Sequence, residues 1–117
     1  IDNVRSPYES YARALLIDAG IGPIRVNVKL GHYEVDLLIG QRVVVEIDGE
    51  VKYDGTTYGR TDDMLRKERE REKDLLNSGY HMRRYSPTAL IRYGDQFVAE
   101  VKLACGLSQP PASLAHR

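Results

Sequence analysis

The order of elements along this chain predicts a mixed α/β fold: helix, three strands, helix, strand, helix (α-β-β-β-α-β-α). Three observations carry that prediction. Apolar and polar residues alternate strictly from Ile24 to Leu30, the mark of a half-buried strand. Two more strand-like runs follow at once, separated by glycine-bearing turns. A long, charged helical stretch then leads to one further short strand. A meander followed by a helical crossover gives a mixed sheet with helices on its faces.

The first element reads as a helix from about Pro7 to Ala19. Ser6, Pro7 and Glu9 form its start signal: an N-cap serine, a proline at the first helical position and an acid three residues after the cap. Ala12, Leu15, Leu16 and Ala19 give the apolar stripe, and Gly20 is the stop. After the first strand, Gly31-His32 makes a two-residue turn. Tyr33 to Ile39 is the second strand, and Arg42 to Ile47 the third. From about Thr61 to Ser78 the chain is helical and dense in opposite charges at spacings of three and four, which pair on a solvated surface. Gly79 caps it. Tyr80 to Tyr85 is a short strand. Ser86-Pro87 opens a last helix over Thr88 to Ala104. The expected division is a single domain over 1–105 and a disordered tail over 106–117, where Pro110-Pro111 lies.

Composition narrows the function classes. The 117 residues suit one domain, and 42% hydrophobic with 29% charged residues is globular rather than disordered composition. Lysine plus arginine and aspartate plus glutamate both number 17. Nucleic-acid binding therefore needs a local basic patch, not a net charge. The lone Cys105 excludes an internal disulfide and a cysteine-rich zinc site. It fits a reducing compartment. No apolar run reaches the roughly 18 residues of a membrane span, and Ile1 to Ser6 has no signal-peptide character. A cytoplasmic protein of bacterial or phage type is expected. The missing initiator methionine adds the expectation that a partner domain holds part of the function.

The hairpin of the second and third strands carries the chemistry. With a three-residue loop, Gly40 to Arg42, Ile39 faces Val43. Val35, Leu37, Ile39, Val43, Val45 and Ile47 then share one side, and Asp36, Leu38, Val44, Glu46 and Asp48 the other. A two-residue loop would mix the faces. The favoured register sets Asp36 opposite Glu46, about 5 Å apart at Cβ. Two charged, dry carboxylates repel. A hard divalent cation, Mg²⁺ or Mn²⁺, removes that cost and suits phosphodiester hydrolysis. The plainer alternative is a solvated sheet face with ordinary salt bridges, but Glu46 stands inside an apolar strand, where an unpaired charge is costly.

Asp36, then Glu46-Ile47-Asp48-Gly49 after nine intervening residues, resembles the PD-(D/E)XK, restriction-endonuclease-like nuclease superfamily. The likeness is greatest to bacterial domains related to very-short-patch-repair endonucleases. Val35-Asp36, Val45 to Gly49, Glu9 on the first helix, Arg66 on the second and the Gly79-Tyr80-His81-Met82-Arg83-Arg84 run carry it, over about Ser6 to Leu90. The resemblance implies an Mg²⁺- or Mn²⁺-dependent endonuclease acting on DNA. It implies metal ligation by Asp36 and Glu46, with the Ile47 carbonyl and Asp48 nearby. Asp48 stands where the superfamily's usual pattern has a lysine. Lys52 is the candidate replacement, to orient water or stabilise negative charge. Glu9 is either a further active-site acid or only the capping-box partner of Ser6. Arg60, Arg66 and Arg83 are the expected DNA contacts. A homodimer is compatible with cutting both strands. The competing reading is a catalytically inactive nuclease-fold module, binding DNA or a protein within a larger regulatory, toxin–antitoxin or defence protein.

Overall fold

The computed structural model describes residues 7–48 and 62–108. Its elements are α1 (Pro7–Asp18), β1 (Ile24–Leu30), β2 (Tyr33–Ile39), β3 (Val43–Ile47), α2 (Asp62–Asn77), β4 (His81–Tyr85), α3 (Pro87–Arg92) and α4 (Gly94–Ser108). The strands form one sheet in the order β1-β2-β3-β4. The first three are antiparallel neighbours, and β4 joins β3 in parallel after the α2 crossover. This is the mixed α/β architecture that the element order predicts. Among the described residues no helix is long and apolar enough to cross a membrane.

Turn chemistry sets the register. Leu30 pairs with Tyr33 across Gly31-His32, and Ile39 with Val43 across Gly40 to Arg42. Gly31 and Gly40 sit at φ 67° and 63°, a region that side-chain-bearing residues enter only at a cost. Two apolar layers result. Leu37, Ile39, Val43, Val45 and Ile47 pack with Ala12, Leu16, Leu90, Phe97, Val101 and Ala104 of α1, α3 and α4. On the other face Leu38 and Val44 pack with Leu75 of α2.

Val35 departs from the expected alternation. It belongs with Leu38, Val44 and Leu75, not with Leu37. The cause lies between Val26↔Leu37 and Val28↔Val35, both paired, where Asn27 and Asp36 are not. Asn27 adopts a left-handed conformation at φ 50°, which asparagine tolerates better than most residues. Strand alternation restarts there, so Val28 and Val35 turn toward α2. Asp36 stands at this break.

The single last helix expected over Thr88 to Ala104 is instead two. Ser86 Oγ accepts from Ala89 N at 3.1 Å, with Pro87 at the first position, as its sequence predicts. Tyr93 then leaves the helix at φ −130°, ψ 45°. Its carbonyl accepts from Phe97 N at 2.9 Å and starts α4. Gly94 brings that start close to α1: a Cβ there would lie 3.4 Å from Leu15 Cδ1. The apolar period ran across this break and hid it. α4 continues to Ser108, past residue 105. Ser6 and most of the expected tail lie outside the described residues.

Candidate active site

Paired positions of β2 and β3 end at Leu37↔Val45, whereas β3 runs on to Ile47 with β4 alongside. Beyond Leu37 side chains do the bridging. Asp36 Oδ2 accepts from Ile47 N at 3.0 Å. The Glu34 carbonyl accepts from Arg71 Nη2 at 3.1 Å. The candidate site is built at this opening between two strands, a place where backbone groups need partners other than a ladder.

Glu46 is the one buried charged residue among those described, 7% exposed. Its neutralisation comes from α2 and β4. Arg71 Nη2 lies 2.5 Å from Glu46 Oε2, and Arg84 Nη2 lies 3.8 Å from Oε1. Glu68 holds both arginines: its Oε2 is 3.3 Å from Arg71 Nη1 and 2.9 Å from Arg84 Nη2. Glu46, Arg71, Glu68 and Arg84 thus close a ring of alternating charge. Arg84 Nε also lies 3.7 Å from Asp48 Oδ2, and Asp48 N donates to the Tyr85 carbonyl at 2.9 Å.

Burial pushes the Asp36 carboxyl above the usual carboxylate range; the Glu46 charge adds to this, and the Ile47 N–H, Glu9 and Arg71 work against it. Glu9 is thus within hydrogen-bonding reach of Asp36. It lies one helical turn before Ala12 and two before Leu16, both buried, so the same stripe that docks α1 aims Glu9 at the sheet. Burial also works against the Arg71 charge, but the Glu46 hydrogen bond and the charges of Glu46, Glu68 and Asp36 outweigh it and hold its pKa above the ordinary value.

Five carboxylates, Glu9, Asp36, Glu46, Asp48 and Glu68, therefore gather around two guanidiniums. Among the described residues no group of three or more acid, histidine or cysteine side chains is arranged as a metal cage. A cation would have to rest on the Asp36–Glu46 pair. That suits Mg²⁺, which takes one or two carboxylates and fills its shell with water and phosphate oxygens.

Of the residues singled out in the sequence, Asp36, Glu46, Asp48 and Glu9 come together. Lys52 and Arg60 lie outside the described residues. Arg66 does not reach the cluster; it pairs with Asp63 on the exposed side of α2. Arg83 aligns with Val45 and lies where its charge acts on Tyr85 and Glu100, on the α4 side. Arg84 aligns with Glu46 instead. Two signals for the missed residues were present. Glu68, Arg71 and Leu75 recur at helical spacing, so the one buried leucine of α2 fixes their face. Met82 packs under α2, and Arg84, two residues on, shares its face.

A cavity of about 640 Å³ lies elsewhere. Gly20, Pro23, Gly40, Arg42, Lys102 and Cys105 are among its lining residues, at the closed end of the β2–β3 hairpin. The carboxylates occupy the open end, and their geometry outweighs cavity size as a pointer to chemistry.

No protein-family model matches the chain. No curated protein matches it either. A solved structure does: the catalytic domain of the homing endonuclease I-Bth0305I, at TM-score 0.69 and 12% identity, covering 91% of this chain and 100% of that domain. The chain has the fold of an endonuclease catalytic domain.

Proposed function

We propose that this domain is a divalent-metal-dependent endonuclease of PD-(D/E)XK type that hydrolyses DNA phosphodiester bonds. The observation that carries the reading is the meeting of Asp36 and Glu46, with Glu9 and Asp48 beside them, at the open end of the β2–β3 hairpin. Its fold-level support is the likeness to an endonuclease catalytic domain. The likeness to very-short-patch-repair enzymes rests on the motif residues alone.

In this reading Asp36 and Glu46 hold Mg²⁺ or Mn²⁺, and Asp48, Glu9 and the Ile47 carbonyl, beside the pair, act through the water molecules that complete its shell. The bound cation supplies polarisation of a phosphate oxygen and a lowered pKa for an attacking water. The chain's own work is positional. The Ile47 N–H fixes one Asp36 oxygen, and Arg71 and Arg84 orient Glu46. Lys52 is proposed to orient the attacking water or stabilise developing negative charge, and Arg60 to meet the phosphate backbone, together with Arg66 on the exposed side of α2 and Arg83 on β4. A homodimer would supply two such sites for cutting both strands.

The engagement of both Glu46 oxygens by arginine supports a second reading, a nuclease-fold module that binds DNA without cutting it. A nicking assay on supercoiled plasmid separates the two. The parent protein is expected to nick with Mg²⁺ or Mn²⁺ and not with EDTA, and Asp36→Ala and Glu46→Ala are expected to be inactive. Plasmid retention at low salt with no nicking under either metal would favour the second reading.

A further inference from the structure

The Glu46–Arg71 pair raises a question that the nuclease reading leaves open. A proposed cation ligand is already neutralised by a guanidinium 2.5 Å away. Arg71 is half-buried and cannot leave for solvent without losing its other bonds. It has two other acceptors in place, Glu68 Oε2 at 3.3 Å and the Glu34 carbonyl at 3.1 Å. Arg84 is arranged in the same way, 2.9 Å from Glu68 and 3.8 Å from Glu46. Each arginine therefore touches Glu46, a proposed cation ligand, and Glu68, which is not one. The position where the family pattern has its lysine holds Asp48 instead, so no cation comes from β3 itself.

We propose that Arg71 is a built-in counter-ion of the candidate site, which holds Glu46 in place and exchanges it for Glu68 when a divalent cation binds. Arg71 is then a positioning residue, acting through Glu46, and Glu68 is its receiving acid. The inference rests on the reading of Asp36 and Glu46 as cation ligands. It assigns a function to α2 beyond the packing of Leu75.

Competition of this kind has a sign that a purely structural ion pair lacks. Removing the Arg71 charge relieves repulsion at the site, and removing Glu68 concentrates both arginines on Glu46. Mn²⁺ binding, read without DNA from the electron paramagnetic resonance signal of free Mn²⁺, measures it directly. Arg71→Gln is expected to bind Mn²⁺ about tenfold more tightly than the parent. Arg71→Lys, which keeps the charge, should stay within about threefold, and Glu68→Gln should bind several-fold more weakly. Equal or weaker binding by Arg71→Gln, including no binding by either protein, overturns the proposal. If Arg71→Gln does not fold, as circular dichroism would show, Glu68→Gln decides: unchanged or tighter binding overturns it. Nicking of plasmid by the parent separates the two ideas. Mn²⁺ affinities that shift as stated in a protein that never nicks sink the nuclease reading and keep the counter-ion. Nicking with no tightening in Arg71→Gln does the reverse.

Discussion

The two faces of the sheet are built from different materials. Under α1, α3 and α4 lies a continuous apolar layer that includes Leu16, Leu37, Leu90, Phe97 and Val101. Under α2 the apolar contact is small, and Leu75 is the only fully buried residue that helix contributes. The rest of its attachment is polar: the four-membered ring of Glu46, Arg71, Glu68 and Arg84, and the Tyr33 hydroxyl donating to Asp74 at 2.6 Å. Hydrophobic burial scales with area and needs no orientation, whereas ion pairs contribute direction more than stability. One face thus secures the fold, and the other holds a few charged atoms in place at some cost.

Substitutions can break that contrast, and the largest effect belongs to the apolar face. Phe97→Ala removes a ring that is 1% exposed and stacks edge-on against Tyr85 with centroids 4.8 Å apart. It should cost about 3–5 kcal/mol in urea unfolding, a large share of the total for a domain of this size. Leu75→Ala should cost nearer 2 kcal/mol, because the small α2 layer can relax around the gap. A loss as great as that of Phe97→Ala would show that the two faces are not so different. Glu46→Ala leaves Arg71 with Glu68 and the Glu34 carbonyl, so about 1–3 kcal/mol of stability is expected to go. Its nicking rate should nonetheless fall by roughly a hundredfold or more. Tyr85→Phe removes the hydroxyl that donates to Glu100 at 2.8 Å and keeps the stacked ring. It should cost about 0.5–1 kcal/mol and leave nicking unchanged.

The apolar face was the more legible of the two in the sequence. Strict alternation in β1 and the glycine turns fixed strand order and the Ile39↔Val43 register, whereas the expected Asp36–Glu46 pairing lies one step beyond the last paired positions, Leu37↔Val45. Period-two reasoning failed at Val35, because a left-handed Asn27 resets the alternation and nothing in a strand pattern announces such a residue. It failed again at Tyr93, where an apolar helical period continued through a real break. On the polar face the Arg66–Lys73 run read as a surface of mutually pairing charges. Most of it is exposed, but Glu68 and Arg71 turn inward because Leu75 sets the helix phase. In a run where nearly every residue is charged, composition does not show which pair faces the sheet.

The most direct test of the division between faces is Asp36→Asn. Burial first, and Glu46 second, hold the Asp36 carboxyl above its usual range, so the folded state binds that proton more tightly than the unfolded chain does. The linkage favours folding below the unfolded carboxylate pKa and is lost as pH rises through the higher folded value. The neutral amide removes the charge and keeps an oxygen for the Ile47 N–H. Metal-free Asp36→Asn should therefore melt above the parent at pH 7–8, with the gain vanishing as pH falls below the carboxylate range. The same protein should have lost plasmid nicking in Mn²⁺. A variant that nicks at the parent's rate would contradict the account, because the residue it places at the centre of the chemistry would be dispensable.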